Sequence, residues 1–285
     1  MKLGNLGGRL VLLDAERAVD VEKASGGVFD ARPEHIYGRW NEFCAWSATV
    51  DLQQGEPYEL HQLQAPSPRP YQVFVIGTNY QTHVAEAGWT VPEVPMVFTK
   101  FPSSVTGPFA AVEIPSSNID WEVEVVVVIG EGGHNIPASE AWNRVAGVTA
   151  GQDFSDRVVQ NRPKERSQFS LGKSYPGFAA TGPVLVAPDD LDDPDNIHLE
   201  CWLNDTKVQD SSSDQLIFSV PQLIEYLSGV VTLLPGDLIF TGTPSGVGAV
   251  MDPPRFLTPD DVIRSYVQGP GEMRHTFVAL PTPAS

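Results

Sequence analysis

Five consecutive β-branched residues, Val125-Val126-Val127-Val128-Ile129, restrict the fold of this chain more than any other stretch. Branching at Cβ costs rotamer freedom in a helix and suits a pleated strand. The run is headed by Asp120-Trp121-Glu122-Val123-Glu124, and on a strand residues two apart share a face. Glu122 and Glu124 therefore aim at one point. Two carboxylates brought together beside an apolar strand raise each other's pKa unless a cation sits between them. A hard divalent metal explains the pair most economically. Taken alone, the same pair also fits an edge strand that shows both side chains to water.

Other strand-length segments, rich in Val and Ile and bounded by Gly, Pro, Asn or Asp, recur along the chain. They are Val73 to Ile76, Met96 to Thr99, Val145 to Ala150, Val184 to Val186, Leu199 to Leu203, Val230 to Leu233 and Leu238 to Phe240. Helical patterning is confined to Trp40 to Ser47, Tyr80 to Ala87, Gln215 to Phe218 and Val220 to Leu227, with Pro221 acceptable in a first turn. The body is thus predicted to be mainly β, in an α+β arrangement with short helices. Before it lie two short strands around Gly7-Gly8. Three prolines in Pro66-Ser67-Pro68-Arg69-Pro70 stiffen the chain and forbid regular pairing. A junction is expected there, separating a small N-terminal domain (1–68) from a larger domain (69–285).

The formal net charge is −18, and no basic patch offsets it. Nucleic acid and anionic membrane surfaces are excluded as partners on that ground. An anionic ligand would have to be met locally, by single Lys or Arg residues or by a metal. Cys44 and Cys201 are too isolated for a disulfide framework or a redox pair, which suits a reducing compartment. The first residues are too soon interrupted by charge for a signal peptide or membrane span. A cytoplasmic protein is expected.

Asn79 is placed to cap the helix Tyr80 to Ala87, which stops at Gly88 and carries His83 and Glu86 on one face. A carboxylate beside an imidazole orients it and raises its basicity, so the pair suits a general base, though a solvated surface pair would look the same. Asp153, after another apolar run, offers a third carboxylate, and three oxygen ligands plus waters suit magnesium or manganese. Lys173, in Gly172-Lys173-Ser174, could meet a substrate carboxylate or a developing enolate. The Gly-rich stretch Gly242-Thr243-Pro244-Ser245-Gly246-Val247-Gly248 offers backbone donors and hydroxyls that could cradle a carboxylate.

In order, the chain carries Gly77-Thr78-Asn79-Tyr80 through His83 and Glu86, Phe98-Thr99-Lys100, Asp120 to Glu124, Asp153 with Ser155, Arg157 and Gln160, Gly172-Lys173-Ser174, and Pro235-Gly236-Asp237 through Gly248. Over roughly residues 70 to 248 this set resembles the fumarylacetoacetate hydrolase superfamily, in its acylpyruvate hydrolase-like and hydroxyheptadienedioate isomerase-like branch. The resemblance implies a mixed β-sandwich or roll, often in homodimers. It makes Glu122, Glu124 and Asp153 ligands of Mg2+ or Mn2+, His83 and Glu86 the water-activating pair on a mobile lid, and Lys173 a catalytic partner of the substrate oxygens. Arg157, Gln160, Thr243 and Tyr80 would bind substrate. The implied reaction is hydrolytic carbon–carbon cleavage of a 2-oxo or 2,4-dioxo acid of the acylpyruvate or fumarylpyruvate type. Decarboxylation of oxaloacetate, or isomerase or hydratase chemistry, is open to the same residues.

Two departures from the family pattern stand out: Val158 follows Arg157 where Asp is common, and Tyr175-Pro176-Gly177 replaces an Asp after the Lys-Ser pair. Phe154, Phe178, Tyr175 and the segment Trp89 to Pro95 are candidates to line a pocket for a bulkier acyl group. Two readings of other classes compete. A dinucleotide-dependent oxidoreductase is suggested by Gly130-Glu131-Gly132-Gly133 after the Val run, but Asn135 and Pro137 interrupt where a crossover helix should begin. A non-catalytic, metal-stabilised binding module would have no need of His83, Glu86 and Lys173 together.

Overall fold

The computed structural model describes residues 1–280. A twelve-stranded mixed sheet runs from Glu56–Pro57 through Arg17–Asp20, Arg9–Leu13, Lys2–Leu6, Ala179–Val186, Val145–Asp153, Val123–Ile129, Leu238–Phe240 and Val73–Gly77 to the edge strand Met96–Thr99, with Leu63–Gln64 beside Lys2–Leu6 and Val105–Thr106 beside Ala179–Val186. A second sheet of five strands orders Thr206–Ser212, His198–Leu203, Val262–Val267, Gly271–Ala279 and Ala111–Ile114. With its short helices, this is the predicted α+β roll.

Strand Val123–Ile129 lies deep in the large sheet and all seven of its residues are buried. Its odd face starts with Val123 and Val125 against Leu199, Ile263, Met273 and Phe277 of the smaller sheet. Further along that face, Val127 and Ile129 lie beneath the helix Val220–Ser228. Its even face ends in Val126 and Val128, packed in one cluster with Tyr37, Trp40 and Phe43 of the N-terminal segment. That face begins with Glu122 and Glu124. An unbroken apolar run is what a strand covered on both sides requires, even though both neighbours here are antiparallel.

The junction expected at residue 68 is no break in the core. Lys2–Leu6 pairs with Ala179–Val186, and one apolar cluster joins Leu10, Tyr37 and Phe43 to Val73, Val75 and Phe240. The prolines interrupt pairing locally while Ser67 Oγ donates to Gly236 O at 3.0 Å, tying the linker down. Gly7 and Gly8 make the expected tight turn, both with positive φ (59° and 85°).

Two expected elements do not form. Val230 is 73% exposed, and only Leu233 of Val230 to Leu233 bridges to another chain segment, at Gly133, because the helix before and the Pro235-Gly236 turn after leave no room for a strand. Gln215 to Phe218 is not a helix. Tertiary bonds claim its backbone instead: Leu216 bridges to Tyr80, Ile217 N donates to Asn79 O, and Phe218 N to Asn79 Oδ1. After Ile129 the chain turns into a short 3-10 helix, Ala138–Arg144, rather than a dinucleotide-binding crossover helix.

Candidate active site and metal centre

Three carboxylates meet where two central strands end. Val123 pairs with Gln152 and Glu124 with Gly151, and Asp153 N donates to Glu122 O at 2.9 Å. That register places Asp153 across from Glu122, and the pleat adds Glu124 on the same face. Their oxygens come within 4.8 Å of one another, with all three residues buried. Gly151 is needed in this frame, since a Cβ there would stand 2.3 Å from Val126 Cγ2.

Three cations alternate with three carboxylates, and a fourth carboxylate, Glu124, lies beside them. Lys100 pairs with Asp153; Lys173 Nζ reaches Asp153 Oδ2 at 2.5 Å and Glu122 Oε2 at 2.8 Å; Arg157 holds Glu122 and Asp120, both at 2.7 Å. The charges thus alternate from Lys100 to Asp120. Glu124 stands outside that chain, accepting Gly242 N at 2.7 Å. Burial pushes up the pKa of Glu122, but Lys173 and Arg157 outweigh it and hold this carboxyl down at about 2. Burial, with Asp153 and Glu122 beside it, drives Glu124 well above the ordinary carboxylate range. Lys173 is raised because Asp153 and Glu122 overcome its burial, whereas burial lowers Lys100 to about 8 despite Asp153.

This donor set fits a hard divalent cation. All three groups offer oxygen, the cluster carries one negative charge more than its cations answer, and the unmatched group, Glu124, is the one that burial would otherwise protonate. Among the described residues the buried Tyr80 hydroxyl has no hydrogen-bond partner, and burial first, then Glu124, raises its pKa.

A cavity of about 360 Å3 opens onto this cluster. His83, Glu122, Arg157, Gln160, Lys173 and Thr243 all line it, bringing together residues spread over 160 positions. His83 and Glu86 share one face of the helix Gln81–Glu86, with His83 Nδ1 3.4 Å from Glu86 Oε2. Glu86 also accepts Gly246 N, at 2.9 and 3.1 Å, so it links this helix to the Gly-rich loop. With Nδ1 directed at Glu86, Nε2 is left for the cavity. Gln160 Oε1 accepts from Arg157 Nη1 at 3.0 Å, and Thr243 Oγ1 donates to Val123 O at 2.9 Å.

Several expectations need correction. Tyr80 does not line the cavity; its ring is wholly buried in the inter-sheet core. Phe154 and Phe178 are core residues of the same cluster, with Tyr175 packed against it, whereas Trp89, Thr90 and Pro92 do line the cavity. Asn79 does not cap the helix. Its Nδ2 donates to Phe218 O and Thr241 O, at 3.0 and 2.8 Å, which pins the start of the helix to two loops.

Lys100 and Asp120 carry no role in the sequence reading. Lys100 was legible from period two, for Met96 and Phe98 face the cavity from alternate positions of its strand while Val97 and Thr99 are exposed. Asp120 accepts from Arg157, Gly248 N and Ala249 N, and so fixes the guanidinium and the Gly-rich loop together. Only coordinates bring those partners to one carboxylate.

Residues 72–278 match the family model described as the C-terminal part of fumarylacetoacetate hydrolase. The chain belongs to the fumarylacetoacetate hydrolase family. It is 41% identical over 206 residues to the mitochondrial oxaloacetate tautomerase of Rattus norvegicus, covering 72% of this chain but only 65% of that relative. This family member thus spans just under two thirds of the mammalian protein's length. It is 41% identical over 249 residues to a fumarylacetoacetate hydrolase domain-containing protein 2 homolog of Dictyostelium discoideum, covering 82% of this chain and 81% of that one. A solved Mycobacterium smegmatis structure, provisionally designated HpcE, superposes with a TM-score of 0.93 at 47% identity, covering 99% of this chain and 100% of the other.

Proposed function

We propose that this family member is a divalent-metal-dependent hydrolase that cleaves a carbon–carbon bond in an acylpyruvate-type 2,4-dioxo acid. The observation that carries the reading is the His83–Glu86 pair on a cavity that leads to three buried carboxylates and Lys173. Glu122, Glu124 and Asp153 would hold magnesium or manganese, which when bound supplies a Lewis acid at the 2-oxo acid end of the substrate.

His83, oriented by Glu86, takes a proton from water as the water oxygen attacks the distal carbonyl carbon. Collapse breaks the bond from that carbon to the central methylene and leaves the electron pair on the three-carbon fragment as an enolate. Lys173, already an ammonium among carboxylates, offers that oxygen a positive partner. The His83 imidazolium returns its proton, directly or through a water, to the enolate carbon, so the fragment leaves as pyruvate, the acyl group leaves as a carboxylic acid and the base is restored. Arg157 and Gln160 orient the substrate from the side, with Thr243 closing the wall.

Keto–enol interconversion of oxaloacetate is the second reading, favoured by the likeness to the rat tautomerase. It needs a proton moved by the same imidazole but no water. The distinguishing experiment gives the protein acylpyruvates and enol-oxaloacetate in isotopically labelled water with Mg2+ or chelator. Metal-dependent pyruvate release with label in the carboxylic acid is expected. Loss of the oxaloacetate enol, with no pyruvate from any acylpyruvate, would overturn the hydrolase. The proposal includes a homodimer, which the family resemblance implies, and a cytoplasmic location, supported by the free cysteines Cys44 and Cys201 although the rat relative is mitochondrial. Among the described residues no helix is long and apolar enough to cross a membrane.

A further inference from the structure

The cavity has two unlike arcs. His83, Glu122, Arg157, Gln160, Lys173 and Thr243 make one; Ile76, Trp89, Pro92, Met96, Phe98 and Phe169 make most of the other. From this division we infer that the substrate carries a bulky apolar group, and no second carboxylate, beyond its 2-oxo acid end. This inference rests on the proposed reading that the 2-oxo acid end lies at the carboxylate cluster.

The construction of the two arcs is the argument. Phe169 and Lys173 lie four residues apart at the two ends of one helical turn, so the ring and the ammonium share a face. Phe98 lies on the edge strand and Lys100 one residue past its end, where Lys100 N still donates to Val73 O, so the two share a face in extended backbone. The two segments that send a lysine inward therefore each carry an aromatic ring beside it, whereas the Arg157 helix carries none. The rings of Phe98 and Phe169 lie 5.5 Å apart, and Lys173 Nζ stands 5.4 Å from the Phe98 centroid. The apolar wall thus begins one ring's width from the last cation.

Among the described residues, the two cations that line the cavity, Arg157 and Lys173, are already paired. Arg157 is held by Asp120 and Glu122, Lys173 by Glu122 and Asp153, and Lys100 is fully buried on Asp153 outside the lining. A second carboxylate against the rings would lose its water without gaining a partner. A phenyl or branched alkyl group would instead bury its surface there. Oxaloacetate, which has a carboxylate at each end, suits this wall poorly. Met96, Phe98 and Phe169 are the specificity-determining residues on this account.

The test measures Mg2+-dependent binding of three 2-oxo acids by calorimetry, with no turnover needed. Phenylpyruvate should bind at least roughly tenfold tighter than pyruvate, as expected for burying a ring, and 2-oxoglutarate no tighter than pyruvate. Met96→Arg, on a half-buried edge position, should abolish the phenyl preference and improve 2-oxoglutarate by about tenfold. Phe169→Ala should cut the phenyl gain at least threefold and leave pyruvate unchanged, with the melting temperature confirming that each variant is folded. If pyruvate binds and phenylpyruvate gains less than threefold, or if 2-oxoglutarate binds as tightly as phenylpyruvate, the inference is overturned. If pyruvate itself fails to bind in Mg2+, the reading of the cluster falls and takes the inference with it.

Discussion

The floor of the cavity stands on the ends of two central strands, whereas its roof stands on a six-residue helix and an edge strand. Glu124, on the floor, is 1% exposed and sits in a frame of glycines that leave no space for a Cβ; Trp89, on the roof, is 57% exposed. Both regions line or adjoin one site, and they are stabilised in opposite ways. The floor is held by the ladder and by alternating charges, so a change there disturbs fold and chemistry together. The roof is held by side-chain bonds from Asn79 and Glu86 and by the buried Tyr80 and Val84, while Trp89 and the strand positions Val97 and Thr99 face solvent.

The largest effect is expected on the floor. Asp153→Ala should lower hydrolysis by at least about 10³-fold and abolish Mn2+ binding, because it removes a proposed ligand, strands Lys100 and leaves Lys173 with Glu122 alone. Stability should fall by about 3–5 kcal/mol for the unpaired buried charge of Lys100. Paramagnetic titration with Mn2+ and denaturant melts check both. Undiminished Mn2+ binding would remove the cluster from the assignment.

His83→Ala is the matching change on the roof. Hydrolysis should drop by about 10²–10⁴-fold, the range for a lost general base, while Mn2+ affinity and melting temperature stay near wild type. The contrast between the two variants is the point: a metal affinity that falls in both would mean that the His83 helix helps to build the floor.

The same contrast governs how far the sequence could be read. Glu122 and Glu124 were legible from period two alone, whereas Asp153 joined them as a ligand only through the family resemblance, because the antiparallel register that brings it across from Glu122 is not written locally. His83 and Glu86 were legible from helical spacing. The misplaced residues are those whose partners are remote in sequence. Asn79 looks like a cap, but Phe218 and Thr241 outbid the helix for its amide. Tyr80 adjoins the motif yet turns into the core, and Gln215 to Phe218 yields its helical bonds to the base of the His83 helix. The continuity of residues 1–68 with the large sheet was hidden for the same reason, since Lys2–Leu6 finds its partner at Ala179–Val186.

A third expectation compares the site with the inter-sheet core. Every cation at the site meets a carboxylate, but His275 is buried against Phe154 with only Gly107 O for its Nε2 and nothing for Nδ1. Burial lowers its pKa to about 4 from an ordinary 6.5. The unfolded chain therefore binds a proton between those values while the folded chain does not, and stability must fall as pH drops through this window. The loss should reach about 3 kcal/mol by pH 4. His275→Gln keeps a donor for Gly107 O and should flatten that part of the pH–melting curve; an unchanged slope would assign the acid sensitivity elsewhere.

The smallest effect sharpens the comparison most. Trp89 sets its ring edge-on to His83, 5.9 Å between centroids at 80°, and lines the cavity, yet most of its surface meets solvent. Trp89→Ala removes apolar roof without opening the core, so the melting temperature should move by no more than the equivalent of about 0.5 kcal/mol. KM for an acylpyruvate with a bulky acyl group should rise about three- to tenfold, KM for acetylpyruvate should change less, and kcat should hold within about twofold. That pattern follows if the ring contributes binding to the distal group equally in the ground and transition states. A kcat that falls with KM unchanged would instead make Trp89 a positioning residue for the imidazole, and the roof would then share in the chemistry that the floor and His83 otherwise divide between them.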